Sequence, residues 1–310
     1  MKIAKGVITV LAIGFLIYEI FYRHHAIDIF NEYAESITDH WRIILWVLLL
    51  MPVNWILESL KWKYLLSNGN ISLLKALKGV WMGVALGLFT PNGVGEFFGR
   101  IWVIEKSKRE QAVSASIVGS LAQLAITITV GGACIVFYAS NYIAPNWLLT
   151  AQIAAVVTIL IGLVSYYYLP KIASVVLSKI SFFKRFASFK KTMKSYSTHQ
   201  LSVAYLISFA RYIVFCTQLG FLIFGLADVP LEVVYTLTAL IPVYYYIQTV
   251  VPTVALSEIG VRGLILSFLF AGFLVNTELI LASFIIWIVN LIIPGLVGLL
   301  FLVQTKFVKS

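Results

Sequence analysis

Two interrupted hydrophobic segments each carry a glutamate followed four residues later by an arginine. The pairs are Glu96 with Arg100 and Glu258 with Arg262. Residues four apart share one face of a helix, and pairing lowers the cost of placing either charge in a low-dielectric region. Ionised residues inside hydrophobic segments usually face a cavity or a partner, which favours a functional site. Two ion pairs that only hold the segments in place remain compatible with this spacing.

Turn-forming residues precede each pair. In the first segment, the residues that permit a tight turn and a close approach of the backbone are Pro91, Asn92, Gly93 and Gly95. The helix predicted to follow begins with unpaired N–H groups and the positive end of its dipole, which favour anions. The second segment has Pro252 six residues before Glu258, and Ser257 and Gly260 lie close to that glutamate.

A third arginine, Arg211, lies inside an uninterrupted hydrophobic stretch at about 200–225. It is about eleven residues from the start of that stretch, which is near mid-membrane at the ~1.5 Å rise of a helix. Its own stretch offers no acidic residue at pairing distance, so we expect Glu96, Glu258 or a bound anionic group as its partner. A planar guanidinium can bind two phosphate oxygens at once, although a salt bridge without a ligand is equally compatible.

Four weaker candidates for the same site are Asn54, Glu58, Gln218 and Tyr245. Polar side chains in membrane helices more often join neighbouring helices than contact substrate, and aromatic ones more often pack. The sequence contains no nucleophile with its base, no phosphate-binding glycine loop before a lysine and no metal-ligand cluster. We therefore predict no catalytic residue, no cofactor and no metal.

The elements that must position these residues are membrane helices. The chain has 310 residues, of which 61% are hydrophobic and 12% charged, and its apolar stretches are long enough to cross a bilayer. Helices satisfy their own backbone groups in lipid, so we predict an all-α polytopic membrane protein with one domain over 1–310. Full spans are predicted at about 4–22, 43–60, 112–139, 147–169, 200–225 and 279–303, and proline-broken hairpins at about 72–104 and 233–273.

Loop charges predict the orientation of these spans. The net charge of +10 gathers in a few connections, which indicates membrane topology rather than nucleic acid as a partner. The loop at 23–42 is acidic, whereas the next connection is basic, with Lys61, Lys63, Lys75 and Lys78. Positively charged loops stay inside, so we expect both termini in the cytoplasm.

The same rule predicts an inverted repeat. The first hairpin has basic flanks and the second has acidic flanks, so they are expected to enter from opposite sides. The pseudo-repeats cover about 1–140 and 147–305, with a basic cytoplasmic linker at about 170–199. In inverted-repeat transporters, broken helices from the two halves form the site near the midplane. Whether each hairpin is re-entrant or crosses the membrane twice stays open.

Three strings resemble the lysylphosphatidylglycerol synthase transmembrane family: NWILE at 54–58, TPNGVGEFFGR at 90–100 and VPTVALSEIGVRG at 251–263. The resemblance covers almost the whole chain. It implies a flippase-like domain that moves a lipid with a polar headgroup between leaflets, with the residues around 91–100 and 252–262 near the lipid path. The second string lacks the glycine run of the first. We do not expect lipid lysylation, because the chain ends a few residues past its last predicted span.

We therefore expect a flippase or scramblase of a plasma or inner membrane, acting on an anionic lipid such as a phospholipid or a polyprenyl-phosphate species. Arg100, Arg211 and Arg262 are expected to neutralise the headgroup, while Glu96 and Glu258 hold the arginines or accept protons. The alternatives are a membrane-embedded transferase acting on a lipid head and a scaffold subunit for a lipid-modifying enzyme. A partner enzyme and a homo-oligomer are both compatible with the sequence.

Single cysteines at the two hairpin tips test the predicted inverted repeat. In a protein whose Cys134 and Cys216 are replaced by alanine, Asn92→Cys is expected to react with a membrane-impermeant maleimide added from the cytoplasmic side. Thr253→Cys is expected to react from the outer side, because its hairpin has acidic flanks. Labelling of Thr253→Cys from the cytoplasm would contradict the inverted repeat.

Overall fold

The computed structural model describes residues 26–66, 71–90, 93, 95–138, 144–172, 187–251 and 255–307. All regular secondary structure in these ranges is helical, which confirms the predicted all-α class. The helices are, in chain order, α1 (Ala26–Asp39), α2 (Trp41–Leu65), α3 (Leu73–Leu88), α4 (Gly95–Ile101), α5 (Arg109–Tyr138), α6 (Pro145–Tyr167), α7 (Ala187–Ser195), α8 (Thr198–Leu226), α9 (Leu231–Leu237), α10 (Leu240–Val250), α11 (Ala255–Leu269), α12 (Asn276–Trp287) and α13 (Ile293–Phe307).

Within this part of the chain, six stretches are long and apolar enough to cross a membrane: Trp41–Leu65, Lys106–Tyr138, Pro145–Tyr167, Thr198–Leu226, Leu231–Val250 and Asn276–Gln304. Five of them coincide with predicted full spans, while the predicted span at 4–22 lies outside the described residues. The remaining stretch, Leu231–Val250, is the first arm of the predicted second hairpin. The chain is therefore a polytopic integral membrane protein.

The first hairpin consists of two helices that are both shorter than a bilayer is thick. α3 has 16 residues and α4 has 7, so they extend about 24 and 10 Å against a hydrocarbon core of about 30 Å. Between them Gly93 has φ +66°, a left-handed conformation that glycine adopts without a steric penalty. Thr90 Oγ1 accepts a hydrogen bond from the Gly95 amide at 2.6 Å. The helical structure is interrupted between α3 and α4, where Pro91, Gly93 and Gly95 predicted an interruption. That the hairpin enters and leaves the membrane on the same side stays a prediction.

Packing between the two predicted halves is reciprocal. α2 lies along α8, α3 packs against α13, and α5 packs against α10. The first arm of each hairpin thus contacts the last helical segment of the opposite half. An internal repeat would produce this pattern, and both the inverted repeat and its boundaries stay predictions. Of the predicted basic linker at 170–199, residues 173–186 lie outside the described part.

The last span is not a uniform α-helix. A π-helical turn, Ile288–Ile292, joins α12 to α13. α12 packs against α8 and α11, whereas α13 packs against α3. Such wide turns are rare and are often found where a helix carries a functional side chain. The turn places Asn290 among buried groups inside the helix bundle.

The contact between α3 and α4 depends on glycine. A Cβ atom at Gly99 would overlap the Met82 carbonyl oxygen and the backbone of Gly83, neither of which can move away cheaply. We expect Gly99→Ala to lower the free energy of unfolding by about 1–3 kcal/mol through overpacking. Thermal unfolding of the purified protein in detergent measures the loss.

The matched control for this substitution is Gly263→Ala in α11. A Cβ atom there would meet Ile280 Cγ1 at 3.5 Å and Ser283 Oγ at 3.6 Å, which is ordinary van der Waals contact. Alanine also has the higher helix propensity, so Gly263→Ala is expected to be neutral or stabilising by up to about 1 kcal/mol. Equal destabilisation by the two variants would contradict the claim that the α3–α4 contact requires glycine at position 99.

Candidate functional site

A single buried carboxylate, that of Glu58 in α2, contacts three cations from three helices. Its Oε2 lies 2.8 Å from Lys61 Nζ and 3.0 Å from Arg211 Nη1, and its Oε1 lies 3.0 Å from Arg100 Nη2. The Glu58 side chain is only 4% exposed. Buried charges of this kind are tolerated only when partners compensate their lost hydration. Glu58 therefore links α2, α4 and α8 through one carboxyl group.

Arg211 is held by more than its ion pair. Its Nε donates to Asn54 Oδ1 at 2.6 Å, and its Nη1 donates to Gln123 Oε1 at 3.4 Å. The guanidinium also lies 5.2 Å from the Trp55 ring and 4.9 Å from the Phe215 ring. Aromatic faces attract cations, most strongly where water is excluded. These contacts fix the orientation of the arginine at mid-span.

A chain of amide side chains extends this site across the bundle. Asn54 Nδ2 donates to Asn290 Oδ1 at 3.2 Å, and Asn290 Nδ2 donates to Gln218 Oε1 at 2.9 Å. Gln218 Nε2 then donates to the Val47 carbonyl at 2.9 Å. Interhelical hydrogen bonds of this kind stabilise packed membrane helices. In the structure Gln218 thus joins helices and does not line either cavity described below.

Two expectations from the sequence are wrong here. Lys61 was assigned to a basic cytoplasmic loop, whereas it lies within α2, is 1% exposed and donates to Ser208 Oγ at 3.1 Å. The rule for loop charges misplaces it because α2 continues to Leu65. The sequence did carry a signal for this ion pair, because Lys61 follows Glu58 by three residues and the two therefore share one face of α2. The other three lysines of this region are exposed: Lys63 lies in the last turn of α2, and Lys75 and Lys78 lie in the first two turns of α3.

The partner of Arg211 also differs from the expectation. We expected Glu96, Glu258 or an anion, and the structure instead pairs it with Glu58. The reason is that α8 packs along α2, which brings the middle of one span against the polar part of the other. Sequence alone does not specify which helices are neighbours.

Beside the ion cluster is a cavity of about 240 Å³, which we call the Glu58 cavity. Its wall contains Glu58, Lys61, Glu96, Arg100, Gln123, Thr127, Arg211 and Thr249, among others. Glu96 is 34% exposed, and Arg100 Nη2 lies 3.4 Å from its Oε2, which confirms the predicted pairing of these two residues. Three cations thus face two carboxylates, and the wall carries one positive charge in excess when all are ionised.

A second cavity of about 260 Å³, the Arg262 cavity, adjoins the first. The residues that line both are Trp55, Glu96, Gln123, Thr127, Arg211 and Thr249. Arg262 and Tyr245 belong to the second cavity only, and Tyr245 Oη donates to the Phe215 carbonyl at 3.1 Å. When the Gln248 amide is oriented with its oxygen toward Arg262, Gln248 Oε1 accepts hydrogen bonds from Arg262 Nε at 3.0 Å and from Arg262 Nη2 at 3.2 Å. Residues of both predicted hairpins, Glu96 and Arg262, therefore line one cavity.

The other predicted site residues have different positions. Gly93 and Gly95 form the turn and the close packing of the first hairpin. Gly260 is buried in α11. Pro91, Asn92 and Pro252 lie outside the described residues, as do the side chains of Ser257 and Glu258. The Glu258–Arg262 pair consequently stays a prediction.

The charges and hydrogen-bond donors of the cavity walls can accommodate a small anionic group. The part of the chain that the structure describes contains no cluster of His, Cys, Asp or Glu that could hold a metal ion. Arginine forks and polar amides surround a space large enough for a small polar group, at the depth of the membrane-spanning helices. Three further residues of this wall, Lys61, Gln123 and Thr127, were not among the predicted site residues.

The fold and site together define a polytopic α-helical membrane protein with a positively charged internal cavity. The family model described as lysylphosphatidylglycerol synthase TM region matches residues 3–298, so the chain belongs to this family. Membership confirms the resemblance of the sequence and associates the chain with membrane lipids. Comparisons with curated proteins and with solved structures find no match.

Removal of the Glu58 charge tests the energetic role of the cluster. Glu58→Gln keeps the side-chain volume but leaves Lys61, Arg100 and Arg211 without their shared carboxylate. We expect the free energy of unfolding to fall by about 3–5 kcal/mol, the usual effect of breaking a buried ion pair. Unfolding in detergent, followed by heat or denaturant, provides the measurement.

Glu96→Gln is the matched control, because it makes the same chemical change on the same cavity. The Glu96 carboxylate is partly exposed and has one ion pair, so its loss is expected to affect stability much less. If the two variants were equally destabilised, Glu58 would not be the centre of the cluster.

Proposed function

We propose that the protein is a lipid flippase or scramblase that moves an anionic lipid between the leaflets of a plasma or inner membrane. The observation that carries this proposal is the excess of cations on a cavity that is lined by membrane-spanning helices. A headgroup that crosses the hydrocarbon core without partners loses its hydration at high cost. Polar groups along its route lower that cost. The substrate class is a phospholipid or a polyprenyl-phosphate species, and both termini are proposed to be cytoplasmic.

The headgroup is proposed to contact the arginines from both hairpins and from α8. Arg211 and Arg262 line the Arg262 cavity, and Arg100 lines the adjoining Glu58 cavity. Arg100 Nε and Nη1 are buried and have no hydrogen-bond partner among the described residues, so a phosphate oxygen would reach them only after the Arg100 side chain had turned toward the cavity. Planar guanidinium groups bind such oxygens in pairs.

The two glutamates of the cavity wall have different proposed roles. Glu58 makes ion pairs with three cations, so its proposed role is to hold them in place. Glu96 has a single ion pair and is partly exposed to the cavity, so it is the carboxylate that can accept a proton or release Arg100 to a headgroup. The sequence carries no nucleotide-binding motif, and movement is therefore proposed to be downhill or coupled to an ion gradient.

Reconstituted vesicles test the proposal. Purified protein is incorporated into vesicles that contain a fluorescent anionic phospholipid, and headgroup access to a membrane-impermeant quencher is followed over time. We expect faster movement than in empty vesicles. Arg262→Gln is expected to slow it by about tenfold or more, since it removes charge-assisted hydrogen bonds.

Arg42→Gln is the control variant, because Arg42 is an exposed cation at the start of α2 and lines neither cavity. It is expected to leave the rate unchanged. The proposal fails if no anionic lipid moves faster than in empty vesicles. Product formed from lipid and an activated donor by the purified protein would favour a transferase. A lipid-modifying partner that still functions with Glu96→Gln and Arg262→Ala would favour a scaffold.

A further inference from the structure

A further cavity, between membrane-spanning helices, is apolar and separate from the charged site. Its volume is about 800 Å³, and it lies between α5, α6, α10 and the end of α11. Its floor is buried, with Ala155 1% and Leu240 3% exposed, whereas its rim is exposed, with Trp147 67% and Phe268 77% exposed. The cavity therefore opens sideways from the bundle, at a surface of membrane-spanning helices.

A tight contact separates this cavity from the charged ones. On one face of α5, Thr127 lines the charged cavities and Cys134 lines the apolar cavity, and Gly131 lies between them. A Cβ atom at Gly131 would lie 2.5 Å from Tyr246 Cβ, so α5 and α10 meet there without free space. The hydroxyls of Tyr246 and Thr158 are 2.6 Å apart, which holds the tyrosine in this position.

The two sides of α10 consequently face different environments. Tyr245, Gln248 and Thr249 line the Arg262 cavity, whereas Tyr246 and Ile247 line the apolar cavity. An amphiphile with its charged end on one side of α10 and its apolar end on the other would match both surfaces.

The position of the opening identifies the occupant. α6 is almost unburied along its length, with Ile153, Leu160 and Ile161 exposed, as expected for a helix that faces lipid. The mouth of the cavity is continuous with that face, because Ala151 and Ala154 of α6 line its wall. Bilayer hydrocarbon is the material in contact with such an opening, and apolar walls favour hydrocarbon over water.

We propose that the apolar cavity binds one hydrocarbon chain of a membrane lipid, with Tyr246 separating that chain from the headgroup site. Chain binding itself does not require transport, whereas the assignment of the chain to a transported lipid rests on the proposed function. Several alanines in the wall, among them Ala151, Ala154 and Ala239, create the space that larger residues would fill.

Photo-crosslinking in vesicles tests the chain site. The probe is a phosphatidylglycerol with a diazirine in one acyl chain, and adducts are mapped by peptide mass spectrometry after irradiation. We expect adducts to concentrate on the peptides that contain Ala155 and Leu240. Ala154→Trp is expected to reduce their yield severalfold, because the indole fills the cavity.

Leu160→Trp is the control, since Leu160 is 57% exposed on the same helix and lies outside the cavity wall. It is expected to leave the yield unchanged. Ala239→Phe fills the cavity from the opposite wall and replaces Ala154→Trp if that variant does not fold. Adducts spread evenly over the exposed face of α6, or an unchanged yield with the filled cavity, would overturn the site.

The outcomes also separate the two proposals. Adducts at the cavity floor without any headgroup movement would leave the chain site standing and reject transport. Headgroup movement without concentrated adducts would support transport and reject the chain site.

Discussion

The ion pairs that the carboxylate of Glu58 makes with three cations are the interaction on which the central part of the structure depends. Lys61, Arg100 and Arg211 come from α2, α4 and α8, and none could lie at membrane depth without a counter-charge. Because one acidic group serves all three, their positions are coupled. A shift of α4, which carries Arg100, would change the electrostatic environment of Arg211 on α8. The cluster is therefore both a structural junction and the boundary of the polar cavity.

This junction explains why the short helix α4 can be ordered inside the bundle. Seven residues form a helix that is marginal by itself, since few of its hydrogen bonds are internal. Glycine contacts with α3 bring the two backbones together, and Arg100 anchors the far end through Glu58. Tertiary contacts at both ends thus replace the stability that length would provide. A polar group can approach such a helix because its surroundings already contain fixed charges and amides.

The sequence predicted the parts of this arrangement that are local. Hydropathy located five described spans, and the Pro and Gly residues located the break between α3 and α4. The Glu96–Arg100 pair was predictable because both residues lie on one helix. The Arg211–Glu58 pair was not, since it depends on the packing of α8 along α2. Lys61 was misjudged for a related reason, because a lysine near the end of an apolar stretch looks the same whether it faces a loop or a buried acid.

The π-helical turn at Ile288–Ile292 divides the last span into two surfaces with separate partners. Each residue of an α-helix advances the side-chain direction by about 100°, so an extra residue in one turn changes the face that follows. After this turn Gly298 meets the Trp81 carbonyl, and Gly295 lies against Leu88. Deleting one residue here would rotate those glycines away from α3 while leaving α12 in place. Although it resembles an irregularity, this turn sets the rotational register between α12 and α13, and it should tolerate changes in composition more readily than changes in length.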